Sequence, residues 1–271
     1  MARAADFAYF DHVGPIAMAH RGGAAYGPNV GLENTMGAFR RAVELGYRYL
    51  ETDVHATADG ELVAFHDTRL DRVTDVEGAI VDLPYAAVRE ARINGTDPVP
   101  LLTELLEEFP TTRLNIDIKA DSALEPTVET IRRHHAIDRV CIGSFSERRV
   151  RAARKALGPR LATAAGQVGT GALRFAPGPL SRALHTPAPV LQIPAVHRLR
   201  GREITLVTPQ LVSVAHRLGK QVHVWFHEWS DESAREMHRL LDLGVDGIVT
   251  DHIATLREVL AERGHPLRPP T

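Results

Sequence analysis

The chain has 271 residues, 44% hydrophobic and 24% charged, which is enough apolar content for a globular core. A formal net charge of −2 argues against a nucleic-acid binder that neutralises many phosphates, and the single cysteine, Cys141, excludes an intramolecular disulfide. No run approaches the ~18 apolar residues of a membrane span, and Asp6, Asp11 and His12 interrupt anything like a signal-peptide core, so a soluble cytoplasmic protein is expected.

Short β-branched runs alternate with helix-period segments along the whole chain. Residues 16–20 read as an apolar strand ending in His20. Residues 33–45 follow a helical pattern with Met36, Phe39, Ala42 and Val43 on one face and Gly46 as the stop. A strand over 49–55 follows, with a short extension over 62–65 after the Asp59-Gly60 turn. Helices are expected over 84–92 and 101–109, then a strand over 114–119. The alternation continues with helix 127–134, strand 140–144, helix 147–157 and strand 161–165. An irregular stretch surrounds Pro177, Pro179, Pro187 and Pro189. Strand 190–193, helix 209–218, strand 222–226, helix 232–243, strand 247–250 and helix 253–263 complete the order.

That count gives about eight strand–helix units, the number that closes a (β/α)8 TIM barrel. The expectation is one α/β barrel domain over 1–271, its core about 16–260, with a short insertion after the second strand. A doubly wound sheet is the rival. It would want a Gly-x-Gly-x-x-Gly turn after the first strand, and His20-Arg21-Gly22-Gly23-Ala24-Ala25 does not fit. In a barrel Phe7, Tyr9 and Phe10 would pack on the floor, and Cys141, inside Val140-Cys141-Ile142-Gly143, would be a buried structural thiol.

Barrel chemistry sits at the carboxyl ends of the strands, so polar residues there matter most. The first strand ends in His20-Arg21, the second carries Glu51 and Asp53, and its extension ends in His66-Asp67. The third carries Asp117 and Lys119, the seventh Trp225, and the eighth ends in Thr250-Asp251. Residues two apart on a strand share a face, so Glu51 and Asp53 project together, as do Asp117 and Lys119. Either acid alone could simply pair with a helix lysine or arginine. Three carboxylates converging in matched register would repel unless a hard divalent cation, Mg²⁺ or Ca²⁺, joined them. His20 and His66 lie beside that place, and imidazole both takes and gives protons near neutrality. Arg21 and Lys119 are suited to phosphate oxygens.

These residues resemble the glycerophosphodiester phosphodiesterase family. Its opening pattern is matched by His20-Arg21-Gly22, Glu33-Asn34-Thr35, Glu51-Thr52-Asp53 and His66-Asp67, in order. Residues 70–75, Val99-Pro100, Thr103-Glu104-Leu105-Leu106, Asn115-Ile116-Asp117-Ile118-Lys119, Val224-Trp225 and 244–251 extend it over roughly 16–260. The resemblance implies hydrolysis of glycerophosphodiesters to glycerol 3-phosphate and an alcohol. It implies Glu51, Asp53 and Asp117 as metal ligands, His20 and His66 as the acid–base pair, and Arg21 and Lys119 on phosphate. Glu33 would orient Arg21, and Trp225 would form a wall against the substrate.

Three departures stand out. The third metal ligand, usually glutamate, is Asp117 here. The usual Trp-Thr-Val-Asn stretch is Trp225-Phe226-His227-Glu228, where Glu228 reads as an added charge at the mouth, a helix-capping residue or plain surface. The proline before Glu-Asn-Thr is Leu32. Two other readings stay open: a lysophospholipase D-type enzyme with an acyl groove around residues 173–184, and a non-catalytic barrel that binds a ligand. A barrel isomerase or aldolase lacks support, because Lys119 has charged neighbours rather than an apolar pocket.

Overall fold

The computed structural model describes residues 3–175, 186–199 and 201–269. Strand β1 (Ile16–His20) leads to helix α1 (Met36–Glu44), and β2 (Tyr49–Ala56) is followed by the short β3 (Leu62–Ala64). An excursion then carries α2 (Tyr85–Val88), β4 (Arg92–Ile93) and β5 (Asp97–Pro98) before α3 (Leu102–Glu108). Three regular units follow: β6 (Arg113–Ile118) with α4 (Leu124–Arg133), β7 (Val140–Gly143) with α5 (Glu147–Leu157), and β8 (Ala162–Thr163) with α6 (Gln167–Phe175). Next come β9 (Val190–Pro194), the hairpin β10 (Val196–Leu199) and β11 (Arg202–Thr205), and α7 (Pro209–Arg217). The chain ends with β12 (Gln221–Trp225), α8 (Ala234–Asp242), β13 (Gly247–Thr250) and α9 (Ile253–Glu262).

The parallel strands run in the order β8-β7-β6-β2-β1-β13-β12-β9, and a lone parallel bridge between Ala164 and Val190 brings the two ends together. This is a nearly closed eight-stranded parallel barrel with helices outside, as the strand–helix alternation predicts. Register carries the polar residues to one end: Asp53 is the Cα partner of Asp117, and His20 of Glu51. β3 folds back antiparallel on β2 and opens the excursion, which has its own small core of Val63, Phe65, Leu70, Ile80, Val88 and Ile93. That excursion is the expected insertion, larger and better structured than a loop.

Element boundaries differ from the sequence reading for local reasons. α1 begins at Met36 rather than 33, because Asn34 takes φ +56° and the Thr35 hydroxyl accepts the Ala38 amide at 3.1 Å, a side-chain N-cap. The helix expected over 84–92 is the single turn α2; Arg92 and Ile93 leave it to pair with Asp97 and Pro98. Helix α4 starts three residues early at Leu124, with Pro126 in its first turn, where a missing N–H costs nothing. Helix α6 and the β10–β11 hairpin occupy parts of the stretch read as irregular or left unassigned.

The floor of the barrel is closed by the N-terminal turns. Phe7, Tyr9 and Phe10 are buried with Met18, Tyr49, Cys141 and Val249 in one cluster, as expected. Tyr9 meets Tyr49 edge-on at 5.3 Å, and the Tyr49 hydroxyl donates to the Tyr9 carbonyl at 2.7 Å. Each fully buried side chain of this size contributes about 1.5–3 kcal/mol by leaving water. Burial pushes the Cys141 thiol well up, so it is inert packing.

His223 on β12 is wholly buried, and Gly247 makes room for it: a Cβ there would lie 2.9 Å from the ring. Burial lowers its pKa to about 3, below the 6.5 of an exposed imidazole. The unfolded chain therefore binds this proton first, so the stability it allows is full above pH 6.5 and is lost as pH falls toward 3. Urea denaturation at stepped pH should show that loss, at roughly 1.4 kcal/mol per pH unit at most from this group. His223→Gln should flatten the slope; identical slopes in both proteins would refute the assignment.

Candidate active site

All the predicted polar strand ends open on one mouth. His20 is the last residue of β1, Arg21 follows it with φ +49°, and Glu51 and Asp53 project from β2. Asp117 comes from β6, with Lys119 just beyond it. His66 lies two residues past β3, and its carbonyl is tied back to the β2 residue His55 at 3.2 Å.

The centre is an ionic lattice around Asp53, which is only 2% exposed. Lys119 Nζ lies 2.7 Å from Asp53 Oδ1 and 2.9 Å from Asp117 Oδ2, and Arg21 Nε is 3.4 Å from Asp53 Oδ2. The Asn34 amide donates to Asp53 at 3.3 Å and is oriented by the Thr52 hydroxyl at 2.8 Å. Burial alone would raise the Asp53 pKa, but Lys119 and Arg21 outweigh it and hold the carboxyl ionised. Glu51 accepts the Arg21 backbone amide at 3.3 Å and lies 3.8 Å from His20 Nε2. Burial and then the charge of Asp53 push it up to about 7. Asp117 Oδ1 is buried without a hydrogen-bond partner.

Each histidine has its own carboxylate. His20 Nδ1 is 3.0 Å from Asp251 Oδ2, while its Nε2 faces Glu51 Oε2 at 3.8 Å. His66 Nδ1 is 2.6 Å from Asp67 Oδ1. Because Nδ1 donates to the acid in both, Nε2 is the nitrogen left to serve a substrate. Their ionisation differs. Burial would depress His20, but the Asp251 charge and hydrogen bond prevail and lift it to about 9. Burial lowers His66, and Arg21 and Lys119 reinforce that. Metal-free, the pair thus starts with one protonated and one neutral ring.

The flanks connect these groups. Arg72 in the excursion donates to Glu33 at 3.0 and 2.6 Å and to Asp67 at 2.5 and 3.2 Å. Glu33 in turn accepts from Arg21 at 3.5 Å. Asp251 accepts the Ala24 amide at 3.3 Å, and Glu232 accepts the Asp251 amide at 2.9 Å and the Thr250 hydroxyl. Trp225, the last residue of β12, stands half-buried at the rim.

The structure therefore gathers His20, Arg21, Glu33, Glu51, Asp53, His66, Asp117 and Lys119 into one connected set. Sequence reading assigned no role to Asp251, Asp67, Arg72, Asn34 and Glu232. Asp251 was visible as a strand end and Asp67 as half of a His-Asp pair, but nothing linear links Arg72 to Glu33. Glu228 is exposed and does not cap a helix; Ser233 does that for α8, accepting the Glu236 amide at 3.3 Å. Most of the stretch 173–184, considered above as an acyl groove, lies outside the described residues. No described helix is long and apolar enough to cross a membrane.

Strand ends that deliver paired histidines, carboxylates and cations to one barrel mouth define an enzyme for an anionic substrate. The chain belongs to the glycerophosphoryl diester phosphodiesterase family, whose model matches residues 20–255, and is thereby a phosphoric diester hydrolase. It is 44% identical over 263 residues to a Mycobacterium tuberculosis protein named "Probable glycerophosphodiester phosphodiesterase 2", with 94% of each chain covered. It is 30% identical over 276 residues to a Homo sapiens lysophospholipase D, covering 90% of this chain and 85% of that one. Its fold matches an Oleispira antarctica phosphodiesterase solved with the product sn-glycerol-3-phosphate, with TM-score 0.73 and 22% identity, covering 92% of this chain and 97% of that one.

Asp251→Asn should remove the charge that holds His20 up. The ring pKa, read by NMR titration of the metal-free protein, should fall from about 9 to below 7, since burial then dominates. A value still near 9 would show that Asp251 is not the cause.

Proposed function

We propose that the protein hydrolyses glycerophosphodiesters to glycerol 3-phosphate and an alcohol, using His20 and His66 as its acid–base pair. The observation that carries this reading is the two histidines, each held through Nδ1 by its own acid, in the same mouth as the Arg21–Asp53–Lys119 lattice. One imidazole takes a proton from the attacking oxygen, either water or the substrate's own glycerol 2-hydroxyl. The other gives a proton to the leaving alkoxide. Arg21 and Lys119 bind non-bridging oxygens and stabilise the charge that grows there. Glu33 aims the Arg21 fork, and Trp225 limits the space beside it. The product named for the Oleispira enzyme and the name of the Mycobacterium relative support this choice of substrate.

Glu51, Asp53 and Asp117 would hold one divalent cation, Mg²⁺ or Ca²⁺, which when bound would supply Lewis-acid charge to the phosphate. The donor chemistry suits such an ion: all donors are oxygens, Asp117 Oδ1 lacks a partner, and the crowded Glu51 carboxyl is pushed to about 7. Lys119 now supplies the cation between Asp53 and Asp117. Among the described residues, no three acidic or histidine side chains converge closely enough to grip a metal. A metal held there would need Lys119 to leave the two aspartates, and the lysine is a flexible side chain with phosphate as its alternative partner. The shorter Asp117, where the family pattern has glutamate, bears on which ion is preferred.

A lysophospholipid substrate would use the same centre, and the similarity to the human lysophospholipase D keeps that second reading in play.

His20→Ala and His66→Ala should each lower kcat about 10²–10⁴-fold on glycerophosphocholine with an unchanged circular dichroism spectrum. Wild-type turnover in either would sink the pair. Chelator-stripped protein should lose activity and regain it with Mg²⁺, Ca²⁺ or Mn²⁺, and the effective ion should raise the Tm. Full activity in excess chelator, with no Tm response, would remove the metal from the reading.

A further inference from the structure

The stretch after β12 departs from the family pattern, and its rings join a wall beside the phosphate-binding residues. Lys119 Nζ lies 5.9 Å from the centroid of Phe145, which follows β7. Phe145 meets Trp225 edge-on at 6.4 Å, and Trp225 meets His227 at 4.6 Å. His227 stacks on Trp229 at 4.9 Å with ring planes 12° apart. Arg198, from the β10–β11 hairpin, covers the Trp229 ring at 3.9 Å. Four rings thus run outward from the catalytic lattice in unbroken contact.

This wall is not core packing. Phe145 is 62% exposed and Trp229 39%, two of the few large apolar side chains left in solvent among the described residues. Both follow barrel strands at the catalytic end, where exposed apolar surface marks a place for a ligand. The His227 imidazole is held below its usual pKa by burial, His197 and Arg198, so it stacks as a neutral ring.

We propose that Phe145, Trp225, His227 and Trp229 form a subsite for a neutral apolar substituent, an alkyl or acyl chain, carried by the phosphodiester. The proposal rests on the phosphodiesterase reading above and names the substrate class of that same site. A quaternary ammonium group is the competing occupant, and it is poorly served. Its charge would meet like charge at both ends of the wall, where Lys119 lies 5.9 Å from the Phe145 centroid and Arg198 covers Trp229. Trp229 already stacks with Arg198 and His227, and the nearby cations Lys119 and Arg198 are themselves paired with Asp53, Asp117 and Glu203. Glu228, between His227 and Trp229, is exposed to solvent. An alkyl chain needs only the ring edges and the apolar surface that they line.

The test is kcat/KM of the metal-loaded enzyme on glycerol 3-phosphate esters of methanol, butanol and octanol, below their micelle concentrations, beside glycerophosphocholine. Wild type should favour the octyl over the methyl ester by about ten- to thirtyfold, as expected for a chain that sheds part of its hydration. Phe145→Ser and Trp229→Ser should each bring that ratio within about threefold of unity, and Glu228→Gln should leave it alone. The ratio is unaffected by loss of folded or metal-loaded enzyme. An enzyme active on the methyl ester but flat along the series overturns the wall alone. So does a ratio unmoved by both serine variants, or a preference for the choline ester that Glu228→Gln abolishes. Wild type inactive on every ester overturns the phosphodiesterase reading and the wall together.

Discussion

A carboxylate sealed into the mouth of a barrel must be balanced by positive charge, and Asp53 sets that requirement here. At 2% exposure it cannot be solvated, so Lys119 and Arg21 crowd onto it, and Asn34 completes its hydrogen bonds. The pairing of β2 with β6 then matters a great deal. Asp53 and Asp117 are register partners, so one lysine bridges both. A one-residue slip would turn each acid to the helical shell and scatter the site.

The same charge balance explains why two histidines in one mouth behave differently. His20 sits against Asp251 and Glu51, an acidic surrounding that favours the imidazolium despite burial. At His66 burial favours the neutral ring, and the charges of Arg21 and Lys119 add to it against that of Asp53. Both are steered by a carboxylate at Nδ1, yet they arrive at opposite ionisation states. The excursion between β3 and α3 contributes as well. Through Arg72 it clamps Glu33 and Asp67, so the acids that contact Arg21 and His66 are fastened to each other.

Much of this was legible in the chain. Alternation of strand and helix signals was enough for the barrel, because each unit buries its own stripe. The two-residue spacings Glu51/Asp53 and Asp117/Lys119 were enough to put both pairs on shared faces. Helix α6 and the β10–β11 hairpin were hidden by neighbouring prolines and weak periodicity. The early stop of α2 came from strand pairing at Arg92, which local propensity does not register. The role of Arg72 was equally invisible, since its partners lie 39 and 5 residues away and meet only in space.

The sequence alone determined the fold class and which polar side chains stand at the strand ends, since strand–helix periodicity and short-range spacing are local properties of the chain. Tertiary structure decided how those side chains divide the charge. It drew Asp251 onto His20 across the closure between β1 and β13, seated Lys119 between two aspartates, and lined Phe145 up with Trp225, His227 and Trp229. Those outcomes depend on distances of a few ångströms between residues far apart in the chain. Electrostatic and ring contacts fall off over that same scale, so only the folded barrel could set them.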